Sequence, residues 1–218
     1  MELSSSYDHA VPAEVLARYD WCETRNAANI LRHTNPAEFA DMLAVIGDFR
    51  LELARDIAPP GRNESLTAAY LNRAFRIRGW READYNVQVT AVLRLLAFAP
   101  AGETEAVTRT SVVASPSYLV DNVKGRVVLD VEWHAKDGNL DRDIAAYRAL
   151  YDAGIIDGAV MITMTRADLR ALALRADPAT TKFGTSTTTN LTKVLPRLTR
   201  GDGGGCPILV VSICARTV

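Results

Sequence analysis

The chain has 218 residues, 48% of them apolar and 23% charged, which are the proportions of a globular protein with one buried core. No run of about 20 apolar residues could cross a bilayer. The first residues lack the layout of a secretion signal, and three cysteines without a CxxC pair argue against a disulfide framework or a zinc ribbon. We therefore expect a cytoplasmic protein with no membrane partner.

Charge is spread unevenly along the chain, although the net charge is only −1. Residues 62–81 and 175–200 each contain five basic residues and one acidic residue, whereas residues 121–143 contain six acidic and four basic residues. Basic flanks around an acidic centre suit a polyanion held over a metal-binding patch. Solvated helix faces produce the same pattern, so charge alone does not identify a partner.

Helix signals dominate the first third of the chain. Residues 12–19 predict a short helix. The segment Asn35–Glu38 predicts the start of a second helix. The asparagine can cap the helix, the proline fits its first position, and the glutamate side chain can accept a hydrogen bond from the backbone N–H of the cap residue. This helix is expected to run to about Ala58, and a third to run from a cap at Ser65 to Gly79. The positions expected to face the core are Phe39, Leu43, Ile46, Phe49, Leu53, Tyr70, Ala74 and Phe75.

Strand signals dominate the rest of the chain. Apolar runs and alternation predict strands at residues 86–98, 110–114, 118–122, 126–133, 155–163 and 207–214. Helices are predicted between them at residues 139–154, 165–176 and 191–198. This alternation indicates an α/β protein with a central mixed β-sheet flanked by helices. Without repeats or an internal linker, residues 1–218 are expected to form a single domain.

A tight reversal in the most β-prone region gathers acidic residues. A two-residue turn at Lys124–Gly125 would pair Val123 with Arg126, with glycine supplying the positive φ. Side chains alternate between the two faces of a strand. The face that carries the core therefore holds Val127, Leu129, Val131 and Trp133. The other face carries three carboxylates, those of Asp121, Asp130 and Glu132.

Three carboxylates on one face need compensation. Like charges this close repel by several kcal/mol at an effective dielectric constant of about 20, so either their pKa values rise or a cation neutralises them. Oxygen ligands at this density suit Mg²⁺, which can activate a water for attack at phosphorus. The alternative is a solvated sheet face on which Lys136 and Arg126 balance the acids.

The pattern Asp121…Asp130–Val–Glu132 resembles the PD-(D/E)xK nuclease motif. Beyond the motif, the chain resembles the BglII and BstYI group of type II restriction endonucleases over almost its whole length. The blocks that carry the resemblance, in order, are Tyr7–Ala10, Leu71–Phe75, Gly79–Glu82, Val120–Trp133, Gly154–Thr163 and Pro207–Val211.

The resemblance implies the restriction-endonuclease-like fold and a catalytic set of Asp121, Asp130 and Glu132. Asp121 and Asp130 match the metal-binding acids of the family. Glu132 departs from the pattern, because most of these nucleases have lysine there and this group usually has glutamine; a glutamate resembles the BamHI-type variant. Water activation is then left to a metal ion, to Glu132 as a general base or to the substrate phosphate.

The resemblance also places two DNA-contacting segments. Residues 182–190 match the recognition loop, whose short hydroxyls and amide suit base edges, although a plain polar loop has the same composition. Residues 134–136 match a second contact. Arginines on the outer side of the third helix could bind phosphate or simply be solvated. The expected DNA-binding residues are His134, Ala135, Lys136, Lys182, Gly184, Thr185, Ser186, Thr187, Thr188, Asn190, Arg73 and Arg76.

These observations lead to one functional hypothesis and two alternatives. We expect a Mg²⁺-dependent type II site-specific deoxyribonuclease that cuts double-stranded DNA as a homodimer, with a methyltransferase as its functional partner. The resemblance implies a GATC-centred palindrome and 5′ overhangs, and the helices at residues 35–58 and 139–154 are candidates for the dimer interface. The alternatives are a catalytically silent DNA-binding module and a structure-specific repair nuclease on the same fold.

Overall fold

The computed structural model of the protein describes residues 1–52, 56, 65–114, 117–133, 135–136, 138–176 and 188–218. These residues form two compact units. One contains residues 1–83 and 120–218, and the other contains residues 84–119. A single domain over residues 1–218 stays a prediction.

The elements follow one another as a helical N-terminal part, a run of strands and an alternating C-terminal half. The helices are α1 Tyr7–Ala10, α2 Ala13–Leu16, α3 Ala27–Thr34, α4 Pro36–Asp48, α5 Leu66–Ile77, α6 Gly138–Asp152, α7 Arg166–Ala176 and α8 Leu191–Arg200. The strands are β1 Tyr19–Glu23, β2 Arg81–Tyr85, β3 Gln88–Leu95, β4 Val107–Ala114, β5 Tyr118–Lys124, β6 Val127–Val131, β7 Gly158–Met164 and β8 Ile208–Ile213.

Six strands form a mixed sheet in the order β1-β8-β7-β6-β5-β2. The inner strands β6, β7 and β8 run parallel, while β1 pairs with β8 and β5 pairs with β6 in antiparallel orientation. The three parallel strands are buried throughout, as expected for strands covered on both faces. The predicted α/β class and its mixed sheet with flanking helices are confirmed.

Helix α5 confirms its predicted boundaries. The Ser65 side chain accepts a hydrogen bond from the backbone N–H of Ala68 at 3.0 Å, and Gly79 ends the helix with a φ of 88°. One detail of the prediction is wrong, because Tyr70 is 43% exposed. Its ring instead lies 5.9 Å from that of Phe49 at the surface of the core.

Helix α4 begins at Pro36 as predicted but ends at Asp48, ten residues before the expected end. Asn35 precedes the helix without capping it, because its side-chain amide donates to Asp157 Oδ2 at 3.1 Å and to the Thr34 hydroxyl. The predicted end at Pro59–Gly61, and the predicted core residue Leu53, lie outside the described residues.

The sequence did not predict α3, β1 or β2. Strand β1 contains two acidic residues among five, so its composition is weakly β-prone. It forms because it pairs with β8 from Tyr19 opposite Ile213 to Glu23 opposite Leu209. Glu23 is fully buried and its Oε2 accepts the backbone N–H of Ala28 at 2.7 Å, which ties β1 to α3.

Residues 84–119 contain an antiparallel hairpin of β3 and β4, paired from Gln88 opposite Ala114 to Leu95 opposite Val107. The alternation of β3 predicted a half-buried strand, and this is wrong: both strands are exposed along their whole length. Val113, for example, is 64% exposed. Alternation indicates two faces of different polarity, but it does not show that one of them is covered.

Across the described ranges, no helix combines the length and the apolar character needed to span a membrane.

Candidate active site

The turn between β5 and β6 differs from its prediction. Lys124 lies opposite Val127 and Val123 lies opposite Val128, so the two turn residues are Gly125 and Arg126. Gly125 has a φ of 53° and occupies the first turn position, where type II′ turns place glycine. The partner of Val123 is thus displaced by two residues, and an even displacement leaves every side chain on its predicted face.

Replacing Gly125 by Ala is expected to destabilise the fold by about 1–2 kcal/mol, because a left-handed backbone is costly for a residue with a Cβ. The new Cβ would also lie 2.6 Å from Glu38 Oε1, so the glutamate would have to move. Urea unfolding measures the loss. Gly154→Ala is the matched control, with a φ of 70° and no atom within 4 Å of the new Cβ; a smaller loss at Gly125 than at Gly154 would contradict this account.

The acids of β5 and β6 interlock through the backbone. The Asp121 N–H donates to Asp130 Oδ1 at 2.7 Å, and the Val131 N–H donates to Asp121 Oδ2 at 3.1 Å. Asp130 is 5% exposed and Glu132 is 8% exposed. The alternative of a solvated sheet face is therefore wrong, and Arg126 pairs with Asp157 at 2.9 Å rather than with these acids. The opposite face is in the core as predicted, with Val127, Leu129, Val131 and Trp133.

Helix α6 brings two further polar groups to these acids, and the sequence analysis missed both. The Tyr147 hydroxyl donates to Asp130 Oδ2 at 2.6 Å. The carboxyl groups of Asp143 and Glu132 share a hydrogen bond. Tyr147 lies on the helix that was predicted for residues 139–154. Asp143, four residues earlier, lies on the same helix face, and this spacing is the signal that could have found it.

Burial raises the pKa values throughout this cluster. The pKa of Asp130 rises from 3.8 to about 7, because burial and the charge of Asp121 outweigh the hydrogen bonds from Tyr147 and the backbone. Burial is also the main cause that raises the pKa values of Glu132, Asp143 and Tyr147. The negative charges of Asp143 and Asp130 raise the pKa of Glu132 further. The metal-free cluster therefore retains protons near neutral pH.

Three hydrogen bonds hold the backbone of Glu132. Its N–H donates to the Ile162 carbonyl at 2.8 Å, and its carbonyl accepts the hydroxyls of Thr163 at 3.3 Å and Thr189 at 3.0 Å. The Thr189 N–H also donates to the Ala135 carbonyl at 2.8 Å. The end of the predicted recognition loop is thus attached to the strand that carries the acids.

The two predicted DNA-contacting segments meet at this point, where Lys136 and Thr188 form an isolated β-bridge. Lys136 is exposed and Ala135 is partly exposed. Thr188 and Asn190 are buried, and the Asn190 amide donates to the Thr188 carbonyl at 3.0 Å. DNA contacts by these residues stay predictions. The remaining predicted contacts of these segments lie outside the described residues: His134, Lys182, Gly184, Thr185, Ser186 and Thr187.

The arginines of α5 do not join the acids. Arg73 is exposed, and Arg76 Nη1 donates to Asn122 Oδ1 at 2.6 Å. Asn122 follows Asp121 on β5, so its side chain lies on the opposite face of the sheet. Arg76 is therefore held on the α5 side of the sheet, away from the acids. Phosphate contact by Arg73 or Arg76 stays a prediction.

One group of three potential metal ligands in the described ranges has all its ligand atoms within 4.8 Å of one another, and it is Asp20, Asp168 and Cys214. Arg216 already pairs with Asp20 at 2.6 Å. Burial raises the pKa of the Cys214 thiol, which disfavours the thiolate that binds metals. This group is therefore a weak candidate for a metal site.

The acids of β5, β6 and α6 do not meet that close spacing, but they leave two oxygens unsatisfied. Glu132 Oε2 and Asp143 Oδ2 are buried and have no hydrogen-bond partner in the part of the chain that the structure describes. Buried polar atoms normally have partners. Two such oxygens on neighbouring carboxyl groups are the donor set that a hard divalent cation prefers.

Comparison with known proteins gives one finding that covers most of the chain. No curated protein matches it. The family model described as restriction endonuclease BglII/BglIII matches residues 19–213. The match runs from the first residue of β1 to the last residue of β8, so it contains the whole six-stranded sheet and the acids that β5, β6 and α6 bring together. The chain therefore belongs to the BglII/BglIII family of restriction endonucleases.

Proposed function

We propose that the protein is a Mg²⁺-dependent type II restriction endonuclease that cuts double-stranded DNA at a short palindrome. Membership of a restriction endonuclease family makes DNA the substrate and phosphodiester hydrolysis the reaction class. The observation that carries the finer proposal is the burial of Asp130 and Glu132 beside Asp121 and Asp143. A fold that gains nothing from such a cluster would not keep it, because like charges in a buried site are destabilising.

A divalent cation fits this cluster. Restriction endonucleases typically use divalent metal ions, and the buried oxygens Glu132 Oε2 and Asp143 Oδ2 have no hydrogen-bond partner among the described residues. Asp121 and Asp130 are the residues proposed to hold Mg²⁺. When bound, such an ion would stabilise negative charge on the scissile phosphate and lower the pKa of a coordinated water.

The protein's own residues would prepare the site for attack at phosphorus. Water activation is proposed to fall to the bound metal ion or to Glu132 in its ionised form, because burial keeps Glu132 protonated near neutral pH until a cation displaces the proton. Tyr147 holds Asp130 in one orientation through its 2.6 Å hydrogen bond. Thr163 and Thr189 both donate hydrogen bonds to the Glu132 carbonyl. A movement of the recognition loop at Thr189 would therefore also move Glu132.

The proposed assembly is a homodimer acting in the cytoplasm, in which each subunit recognises the same half of a palindrome and cuts one strand. A GATC-centred target with 5′ overhangs follows the resemblance to the BglII and BstYI group. Lys136 is exposed beside the loop that Thr188 ends, so it is suited to a phosphate contact. A methyltransferase that protects the same sequence would be the functional partner.

Incubation of the purified protein with phage DNA and Mg²⁺ tests this function. We expect discrete fragments whose sequenced ends share one palindrome, and an intact substrate when EDTA replaces Mg²⁺. Binding without cleavage would instead support a silent DNA-binding module. Ends set by junctions rather than by sequence would support a structure-specific repair nuclease.

A further inference from the structure

Asp143 lies outside the strand motif but faces its acids. Its side chain is 7% exposed, and its carboxyl group shares a hydrogen bond with that of Glu132, which is 8% exposed. Asp143 lies on α6 and Glu132 directly follows β6, so the two residues are eleven positions apart in the sequence. Two buried carboxyl groups in contact are stable only if they share a proton or bind a cation.

Each of the two carboxyl groups has one oxygen without a hydrogen-bond partner among the described residues. Glu132 Oε2 and Asp143 Oδ2 are both buried without a hydrogen bond to any described residue. Leaving a buried acceptor without a hydrogen bond destabilises the fold. A proton shared by the two groups, or a cation bound to both, would relieve this destabilisation.

The neighbouring arginine does not supply the missing charge. Arg142 Nε lies 3.6 Å from Asp143 Oδ1, the other oxygen of the carboxylate, and the arginine side chain is 55% exposed. An ion pair so open to solvent contributes little. Asp143 Oδ2 is therefore free to take a second, stronger partner.

Helix α6 holds Asp143 rigidly enough to act as a ligand. The Tyr147 hydroxyl ties the helix to Asp130 of β6 at 2.6 Å. Arg197 of α8 holds Asp141 through two hydrogen bonds of 2.7 Å. Asp143 lies between these two attachment points along the helix, so its position relative to β6 is defined before any ligand binds.

We propose that Asp143 is a further ligand of the divalent cation and holds it together with Glu132. The proposal rests on the proposed function only in that a divalent cation occupies the acidic cluster. It extends the site from two strands to the facing helix. It also accounts for both unpartnered oxygens.

Mn²⁺ binding to the full-length protein in the absence of DNA tests the proposal. Electron paramagnetic resonance reports free Mn²⁺ directly, and thermal unfolding reports the stabilisation that bound Mn²⁺ confers. We expect Asp143→Asn to weaken Mn²⁺ binding by at least about tenfold and to remove most of the Mn²⁺-dependent rise in Tm. The substitution keeps the shape of the side chain, and circular dichroism checks that the variant is folded.

Two control variants separate ligation from structural effects. Asp152→Asn removes an acid from the same helix that is 57% exposed and paired only at 3.5 Å with Arg148, and we expect wild-type Mn²⁺ affinity. Arg142→Gln removes the ion pair of Asp143 but leaves its carboxylate. If Asp143 served only to hold Arg142, Asp143→Asn and Arg142→Gln would weaken Mn²⁺ binding alike. A ligand role of Asp143 instead predicts unchanged or tighter Mn²⁺ binding in Arg142→Gln.

The outcomes distinguish this inference from the proposed function. Wild-type Mn²⁺ affinity in folded Asp143→Asn overturns the inference, whether or not the protein cuts DNA. A wild-type protein that binds no Mn²⁺ overturns both. Mn²⁺ binding that depends on Asp143, in a protein that leaves every DNA intact, upholds the inference and rejects the proposed function.

Discussion

Replacing Asp130 by Asn is expected to abolish DNA cleavage while making the metal-free protein more stable. Cleavage is lost because a neutral amide is a poor ligand for Mg²⁺. Stability rises because the buried carboxylate no longer has to ionise. The shift of its pKa from 3.8 to about 7 corresponds to roughly 4 kcal/mol of destabilisation when the group is charged. The asparagine can keep both hydrogen bonds, accepting from the Asp121 N–H and donating to the Tyr147 hydroxyl.

The pH dependence of this effect has a definite sign. The folded-state pKa of Asp130 lies above its unfolded value, so the folded protein binds the proton more tightly. The free energy of unfolding therefore falls as the pH rises from about 4 to about 7, and the loss is complete above that range. Asp130→Asn should gain about 4 kcal/mol at about pH 8 and about 1 kcal/mol at about pH 4.5.

Urea unfolding of metal-free wild type and variant at these two pH values measures the gain, and a plasmid assay measures cleavage. Asp152→Asn is the control, because an exposed acid should change neither quantity. Cleavage at the wild-type rate in Asp130→Asn would reject the metal-site assignment. A loss of stability at the higher pH would instead show that Asp130 is more stable ionised than its burial implies.

The affinity for Mg²⁺ is expected to rise steeply with pH. A cation can bind the cluster only when the carboxyl groups have lost their protons. Asp130 has a pKa of about 7, and burial raises those of Glu132 and Asp143, so metal and protons compete near neutral pH. For each proton that the cation displaces, the affinity rises about tenfold per pH unit, as long as the pH lies below the pKa of that group. We expect one to two protons, and hence about 10- to 100-fold between pH 6 and pH 7.

Calorimetric titration in two buffers of different ionisation enthalpy measures both the affinity and the number of protons released. In Asp130→Asn the residual binding should release fewer protons, because its amide does not titrate. An affinity that stays constant from about pH 6 to about pH 8 would show that the acids are already ionised in the metal-free protein. That result would remove the reason for assigning them raised pKa values.

The hairpin shows why the common face of the acids could be predicted although the register of the two strands could not. The wrong turn, Lys124–Gly125 instead of Gly125–Arg126, displaced the partner of Val123 by two residues. Face assignment depends only on whether a residue is odd or even along the strand. It therefore survived the error and put Asp121 and Asp130 together. The register depends on which turn position the glycine takes, a choice of small energy that the sequence pattern does not resolve.

Asp143 and Tyr147 show which part of the site could not be predicted from the sequence. The sequence predicted the helix that carries Tyr147 but assigned the tyrosine no role in the site. Its partner, Asp130, lies on β6, and α6 is the helix that connects β6 to the parallel strand β7. No local pattern states which strand a helix packs against. Neither the tyrosine nor the acid one turn before it was therefore identified as part of the site.

Local chemistry in the sequence determined the α/β class, the strand that carries the acids, their common face and, through its motif, the relationship to restriction endonucleases. Each of these depends on residue types and on their spacing along the chain, which are present before any packing is known. Only the tertiary structure decided that Asp130 and Glu132 are buried, that α6 adds Asp143 and Tyr147, and that Thr189 ties the predicted recognition loop to Glu132. Burial and partnership arise between segments far apart in the chain, where packing rather than spacing sets the energies.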